Sequence, residues 1–238
     1  MVDPTMSYLL RATAATPHCV VVDFETSGLG IAKGTAVPLE LAFCVLDEQC
    51  NIIREMVVLL NWTTDPATDQ ADLKARMEKT AEQMGGGRRF SATWDRMVAE
   101  GVPVREGIDR YMNALNGELK EHRRLAGHNL IGFDMLILAG LAEGMDEFVP
   151  AWDPNSYHDT GMIEKGVQMQ VIPFPTESPV DYYARIQHGG RYKWSLHSYC
   201  REKYGIKDDE WFANHAALSD CRLVARVLKA QLKAGGLL

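Results

Sequence analysis

The chain has 238 residues, 46% of them hydrophobic, and a formal net charge of −7 at pH 7. That is ample for a real core, and the acidic balance argues against a protein that coats nucleic acid with a general basic surface. It does not exclude a nuclease, because a sequence tally leaves out the cations an acidic cluster would bind.

The five cysteines, Cys19, Cys44, Cys50, Cys200 and Cys221, are odd in number and scattered, with no C-x-x-C and no zinc spacing to histidine. They read as free buried thiols in a reducing compartment. No run approaches the ~18 apolar residues of a membrane span. Asp3 and Pro4 stand where a secretory signal would be basic. The expected location is therefore the cytoplasm, with no membrane partner. Residues 1–17 are read as a leader, for which disorder is one reading, and residues 18–238 as a single domain.

In chain order, residues 18–25 predict a strand, followed by a loop over Gly28–Gly34. Residues 39–46 and 51–60 predict two more strands, joined by the short turn 47–50, which makes an antiparallel start to a sheet. Leu73, Met77, Ala81 and Met84 recur at helical spacing over 71–84, and Gly85-Gly86-Gly87 ends that helix. Helical segments follow over 91–117, broken by Gly101 and Pro103, then a strand at 123–128, a helix from Phe133 to Ala142, a short strand within Trp152–Thr160 and a helix at 160–168. The segment 170–193, part of an insert at about 167–193, is rich in Pro and Gly and reads as a loop or hairpin. Helices return at 195–204 and 216–233. Strands first, then alternating helices and strands, indicate an α/β fold whose mixed sheet is covered by helices.

Three stretches carry candidate chemistry. In the first strand, alternation puts Asp23 and Glu25 on one face and Val22 and Phe24 on the other. No Lys or Arg occurs from Val20 to Ala32, so the pair either holds a divalent cation through hard oxygen ligands or is an edge-of-sheet surface pair. The same Asp-x-Glu spacing at Asp208 and Glu210 sits in a polar run and reads as a solvated turn. Asp134 follows Gly127-His128-Asn129 and falls in the first turn of a helix, where an acid is also a favourable N-terminal charge. His215 and Asp220 open the last helix, five positions apart. In a continuous helix they would point about 140° apart, so they converge only if His215 stands in the preceding loop. A histidine there suits a general base; a capping region with a solvated Asp220 is the plain alternative.

Asp23-x-Glu25-Thr26-x-Gly28-Leu29, His128-Asn129 with Phe133-Asp134, and His215-x-Ala217-Leu218-x-Asp220 resemble, in order and spacing, the three motifs of the DEDDh (DnaQ-like) 3′→5′ exonuclease family. The nearest likeness is to the proofreading ε subunit of bacterial DNA polymerase III. Pro38-Leu39-Glu40, His158-Asp159-Thr160 and Ser195-Leu196 with Tyr204-Gly205 add secondary likenesses. The resemblance implies a ribonuclease H-like fold, three antiparallel strands then parallel ones, and hydrolysis assisted by two Mg²⁺ or Mn²⁺ ions. It assigns Asp23, Glu25, Asp134 and Asp220 to the metals and His215 to deprotonating the attacking water. Thr26, Gly28, Leu29 and Asn129 match positions at the terminal nucleotide. Ser27 replaces the second Thr of the usual Thr-Thr-Gly.

The activity this implies is removal of nucleotides from single-stranded or frayed DNA 3′ ends, in proofreading or repair, with any polymerase or replication/repair complex supplied in trans. An exoribonuclease of the same fold and a non-catalytic nucleic-acid or polymerase-binding module are the alternatives. Arg185, His188, Arg191, Tyr192, Lys193 and Trp194 suit either contact with a single strand or anchoring of the insert.

Overall fold

The computed structural model describes residues 2–28, 36–83, 89–122, 124–143, 157–188, 192, 194–207 and 214–238. In chain order the elements are α1 Pro4–Ala12, β1 Val20–Thr26, β2 Pro38–Leu46, β3 Ile52–Asn61, α2 Gln70–Gln83, β4 Arg89–Phe90, α3 Trp94–Glu100, β5 Val102–Pro103, α4 Val104–His122, β6 Leu125–Gly127, α5 Asp134–Leu141, β7 Tyr157–Asp159, α6 Thr160–Met169 and α7 Pro179–Gln187. A π-helical turn Leu196–Cys200 then leads into α8 Arg201–Lys203, β8 Asn214–His215 and α9 Ala217–Ala234.

Among the described residues, six strands make one sheet in the order β5-β3-β2-β1-β6-β7. β1, β2 and β3 form the expected antiparallel meander, and β6 and β7 add in parallel. The β-branched run Val20-Val21-Val22 sits in the middle strand, buried on both faces. Val20, Val22 and Phe24 pack with Tyr111, Leu115 and Leu138 of α4 and α5. Val21 faces the other way, with Ala42 and Cys44 of β2, into the layer built by α1, α6 and α9. Asp23 and Glu25 share the parity of Val21, so the strand sends them toward α9. Small residues let that helix approach closely: Cys44 Sγ lies 3.7 Å from the Cys221 carbonyl and Cys221 Sγ 3.8 Å from the Val21 carbonyl. All five cysteines are buried and free.

Three expectations change. The leader is not disordered along its length: Pro4–Ala12 is a helix with Met6, Leu9 and Leu10 buried. Asp3 caps it, accepting from the Thr5 and Met6 amides at 2.9 and 3.0 Å. Its own amide bonds to the Ala234 carbonyl at 2.8 Å. Asp3-Pro4, read against a signal sequence, is a helix-start signature. The segment 170–193 contains α7 rather than only loop or hairpin, because Ser178 caps it, Pro179 opens it and Tyr182 and Ile186 bury one stripe. The two-residue strands β4, β5 and β8 are additions that no hydrophobic periodicity announces. Gly30, Gly34, Met84 and Gly85 to Gly87 lie outside the described residues, as do Trp152, Arg191, Lys193, Asp208 and Glu210. Among the described residues no helix is long and apolar enough to cross a membrane.

Truncating Leu10, fully buried in the α1 layer, leaves a cavity between α1 and the rest of the core. Leu10→Ala is expected to cost about 2–5 kcal/mol in a urea unfolding experiment. An unchanged midpoint would show that α1 does not unfold with the core.

Candidate active site

β1 ends with Asp23 and Glu25 on the α9 face, and across the ladder Glu25 stands opposite Glu40 of β2. Directly opposed like charges destabilise a sheet unless something neutralises one of them. Glu40, 2% exposed, is neutralised: Ser91 Oγ donates at 2.9 Å, Arg96 at 3.2 Å and the Ala217 amide at 3.1 Å. The last of these bonds supplies an acceptor at the start of α9, where Ala216 provides no side-chain cap. Glu40 thus fixes where α9 begins.

His215 stands just before that helix, as convergence with Asp220 requires. The two-residue parallel ladder between β4 and β8 holds it extended, and the Ser91 amide donates to its carbonyl at 2.8 Å. Its Nδ1 meets Glu25 Oε1 and lies 3.8 Å from Asp220 Oδ2. Glu25, His215 and Asp220 each offer a ligand atom within 4.8 Å of the other two. His197, which sequence reasoning missed, meets Asp220 Oδ1 through Nε2 at 2.9 Å. It lies in the π-helical turn, and only its place beside the Ser195-Leu196 likeness hinted at the site.

Asp134 begins α5 and is 2% exposed, and its Oδ1 has no hydrogen-bond partner among the described residues. The loop before it hangs on Asp159, a fully buried carboxylate that accepts from the amides of Asn129, Ile131, Gly161 and Met162 at 2.9–3.2 Å. Tyr183 donates to Asn129 Oδ1 at 2.8 Å. Asp23 and Asp134 lie outside the 4.8 Å group, yet they share its field. Loss of solvation, then Asp220, Asp134 and Glu25, pushes the Asp23 carboxyl well above its ordinary range. Burial and then Asp159 raise Asp134 likewise. Burial raises Glu25 against the opposing pull of His215. Clustered carboxylates of this kind are a donor set for hard divalent cations.

Of the nucleotide-facing candidates, Thr26 is buried, and its hydroxyl donates to the Gly28 carbonyl at 2.7 Å, shaping the loop. Gly28 has φ +156°, which L side chains rarely adopt. Ser27 is buried too and accepts from the Val37 amide at 3.0 Å. Leu29 lies outside the described residues. In the insert, Arg185 pairs with Glu177 at 2.7 Å, and Trp194 stacks on His128 with ring centroids 5.7 Å apart. These contacts favour anchoring for both residues.

No protein-family model matches the sequence, nor does any curated protein sequence. Solved structures do match. E. coli exonuclease I in complex with a 5cy-dT13 oligonucleotide aligns over 90% of this chain and 40% of that chain, at TM-score 0.57 and 15% identity. The zinc-ion-bound complex of E. coli exonuclease I with single-stranded DNA gives the same coverage, TM-score and identity. Exonuclease I from Methylocaldum szegediense aligns over 90% and 40%, at TM-score 0.57 and 17% identity. The chain has the ribonuclease H-like fold of these exonucleases. It spans about 40% of their length. At 15–17% identity the likeness is one of fold, and it does not single out the ε-like member that the motifs suggested.

The raised Asp23 carboxyl makes a pH prediction with a definite sign. Its folded-state pKa exceeds the unfolded one, so stability present at low pH is lost as pH rises through the folded value. In chelator, Asp23→Asn is expected to be more stable than wild type at about pH 8 and to lose that advantage toward about pH 4. Thermal unfolding of both proteins across this range is the measurement, and a wild type that gains on the variant with rising pH would contradict it.

Removing Asp159 leaves four amides without their acceptor. Asp159→Ala is expected to cost on the order of 2–4 kcal/mol, read by denaturant unfolding.

Proposed function

We propose that this chain is a metal-dependent 3′→5′ exonuclease that removes nucleotides from single-stranded or frayed DNA 3′ ends. The observation that carries the reading is the meeting of Glu25, Asp220 and His215 within 4.8 Å, with Asp23 and Asp134 in the same field. The shared fold with exonuclease I supports it. Asp23, Glu25, Asp134 and Asp220 lie in one field, and Asp134 keeps a buried oxygen without a hydrogen-bond partner among the described residues; such a donor set fits a pair of Mg²⁺ or Mn²⁺ ions. When bound, such ions neutralise the phosphate and stabilise the attacking and leaving oxygens of an in-line displacement. Asp23, Glu25, Asp134 and Asp220 hold them. His215 takes the proton of the attacking water, its ring oriented by Glu25 and its backbone by β4. Thr26 and Gly28 line the terminal nucleotide, a role the motif also gives Leu29, and Asn129, held by Tyr183, serves the scissile one. A proofreading or repair role beside a polymerase in trans is the finer part of the proposal. Buried free thiols support a reducing compartment, hence the cytoplasm.

The test is digestion of 5′-labelled single-stranded DNA, duplex DNA and RNA with Mg²⁺, with Mn²⁺ and with chelator. Single-stranded DNA is expected to give a metal-dependent ladder shortened from the 3′ end. His215→Ala should slow it about 10²–10⁴-fold, and Asp23→Ala should abolish it without unfolding the protein. Full activity in Asp23→Ala would overturn the site. Cleavage of circular single-stranded DNA would overturn the exonuclease assignment, and preferential digestion of RNA would replace DNA with RNA as the substrate.

A further inference from the structure

We propose that His18, Glu121 and His122 form a second cation site, of zinc type, that ties the end of α4 to the segment leading into β1. The three residues each offer a ligand atom within 4.8 Å of the others. Two imidazole nitrogens and a carboxylate are a zinc donor set, with a fourth position for water or another carboxylate. Glu118 stands one helical turn back on α4, its Oε2 3.5 Å from His122 Nε2 but 2.7 Å from Arg54 and outside the group of three, so water is the natural fourth ligand.

The independent observation is the state of His122. It is 5% exposed, and neither ring nitrogen has a hydrogen-bond partner among the described residues. Buried polar atoms are almost always paired, and leaving an imidazole unpaired costs free energy that a bound cation would recover. The His18 and His122 rings meet edge to face with centroids 4.1 Å apart. Around a tetrahedral ion with bonds of about 2.0–2.2 Å the ligand atoms stand roughly 3.4 Å apart. The side chains must therefore draw together slightly. Glu121, exposed on the last turn, can do so by rotation. Arg54 pairs with Glu118 at 2.7 Å and reaches Glu121 only at 3.8 Å, a solvated contact worth little.

This site is separate in chemistry from the carboxylate cluster at the end of β1. Imidazole nitrogen selects zinc and cobalt over magnesium, whereas a carboxylate set accepts magnesium and manganese. Its role is structural. Val20 donates to the Arg124 carbonyl at 2.9 Å, so β1 already joins the chain just beyond α4, and an ion on His18 and His122 would brace the same junction.

The experiment uses the full chain carrying Glu25→Gln and Asp220→Asn, which disables the other cluster, stripped with chelator and titrated with Co²⁺ and with Zn²⁺. The expected result is one Co²⁺ per chain with the visible absorption of a low-coordinate site, displacement by Zn²⁺ but not by Mg²⁺, and a rise in melting temperature with Zn²⁺. Adding His18→Ala or Glu121→Gln should weaken Co²⁺ binding at least about ten-fold. Glu121→Gln keeps the test valid if His18→Ala fails to fold. No uptake in the parent double variant, or uptake unchanged by Glu121→Gln and by His18→Ala, would overturn the site.

Discussion

The bond from the Ala217 amide to the buried carboxylate of Glu40 fixes the start of α9 on the sheet, and most of the site follows from it. α9 is long and apolar along one face, with Leu223, Val224, Val227 and Leu228 buried, but that face alone would allow it to slide along β1 and β2. An acceptor placed on β2 removes the freedom. The same carboxylate collects Ser91 and Arg96, and Ser91 donates through its amide to the His215 carbonyl. One side chain therefore couples the helix that carries Asp220 to the short ladder that carries His215. Small residues at Ala42, Cys44 and Cys221 complete the fit by letting helix and sheet approach closely.

That arrangement forces acids together at a cost. Asp23 feels Asp220, Asp134, Glu25 and Glu40, all of the same sign. A fold selected only for stability would have replaced some of them, since buried like charges raise each other's pKa and weaken the folded state at neutral pH. Local conflict of this sort is expected where structure serves chemistry.

Much of this was legible in the chain, and the rest was hidden for physical reasons. Alternation in Val20–Glu25 gave the faces of β1 correctly because the strand lies inside the sheet and its register with β2 is unbroken through Glu25. The need for His215 to stand outside α9 followed from helix geometry. The ladder that holds it there did not, because two-residue strands pair residues far apart in sequence and carry no period of their own. Glu40 was visible as a charge inside the apolar run Leu39–Leu46, a conflict that could have marked it as an anchor. The start of the helix at Pro4–Ala12 is marked in sequence only by Asp3 and Pro4, which also read as the absence of a basic signal segment. Its stripe of Met6, Leu9 and Leu10 is also too short to stand out. His197 had only the neighbouring Ser195-Leu196 likeness to mark it, since its place opposite Asp220 depends on a π-helical turn that sequence does not announce.

The buried acids can also be sorted without reference to any motif, by counting the donors each one receives. Glu40 receives a hydroxyl, a guanidinium and an amide. Asp159 receives four amides, and Glu164 receives Lys203, Tyr204 and Gln231. These carboxylates are satisfied by the protein itself, and each joins elements distant in the chain. Asp134 stands apart: it is as buried as Glu40, and one of its oxygens receives nothing among the described residues. Burial costs the two groups about the same solvation, so the difference between them is what the protein has left for something else to supply. A buried carboxylate oxygen that receives no hydrogen bond among the described residues, in the field of Asp159, Glu25 and Asp23, has electrostatics that suit a cation. Hydrogen bonding and burial thus single out Asp134 on their own, apart from its spacing to the other motifs.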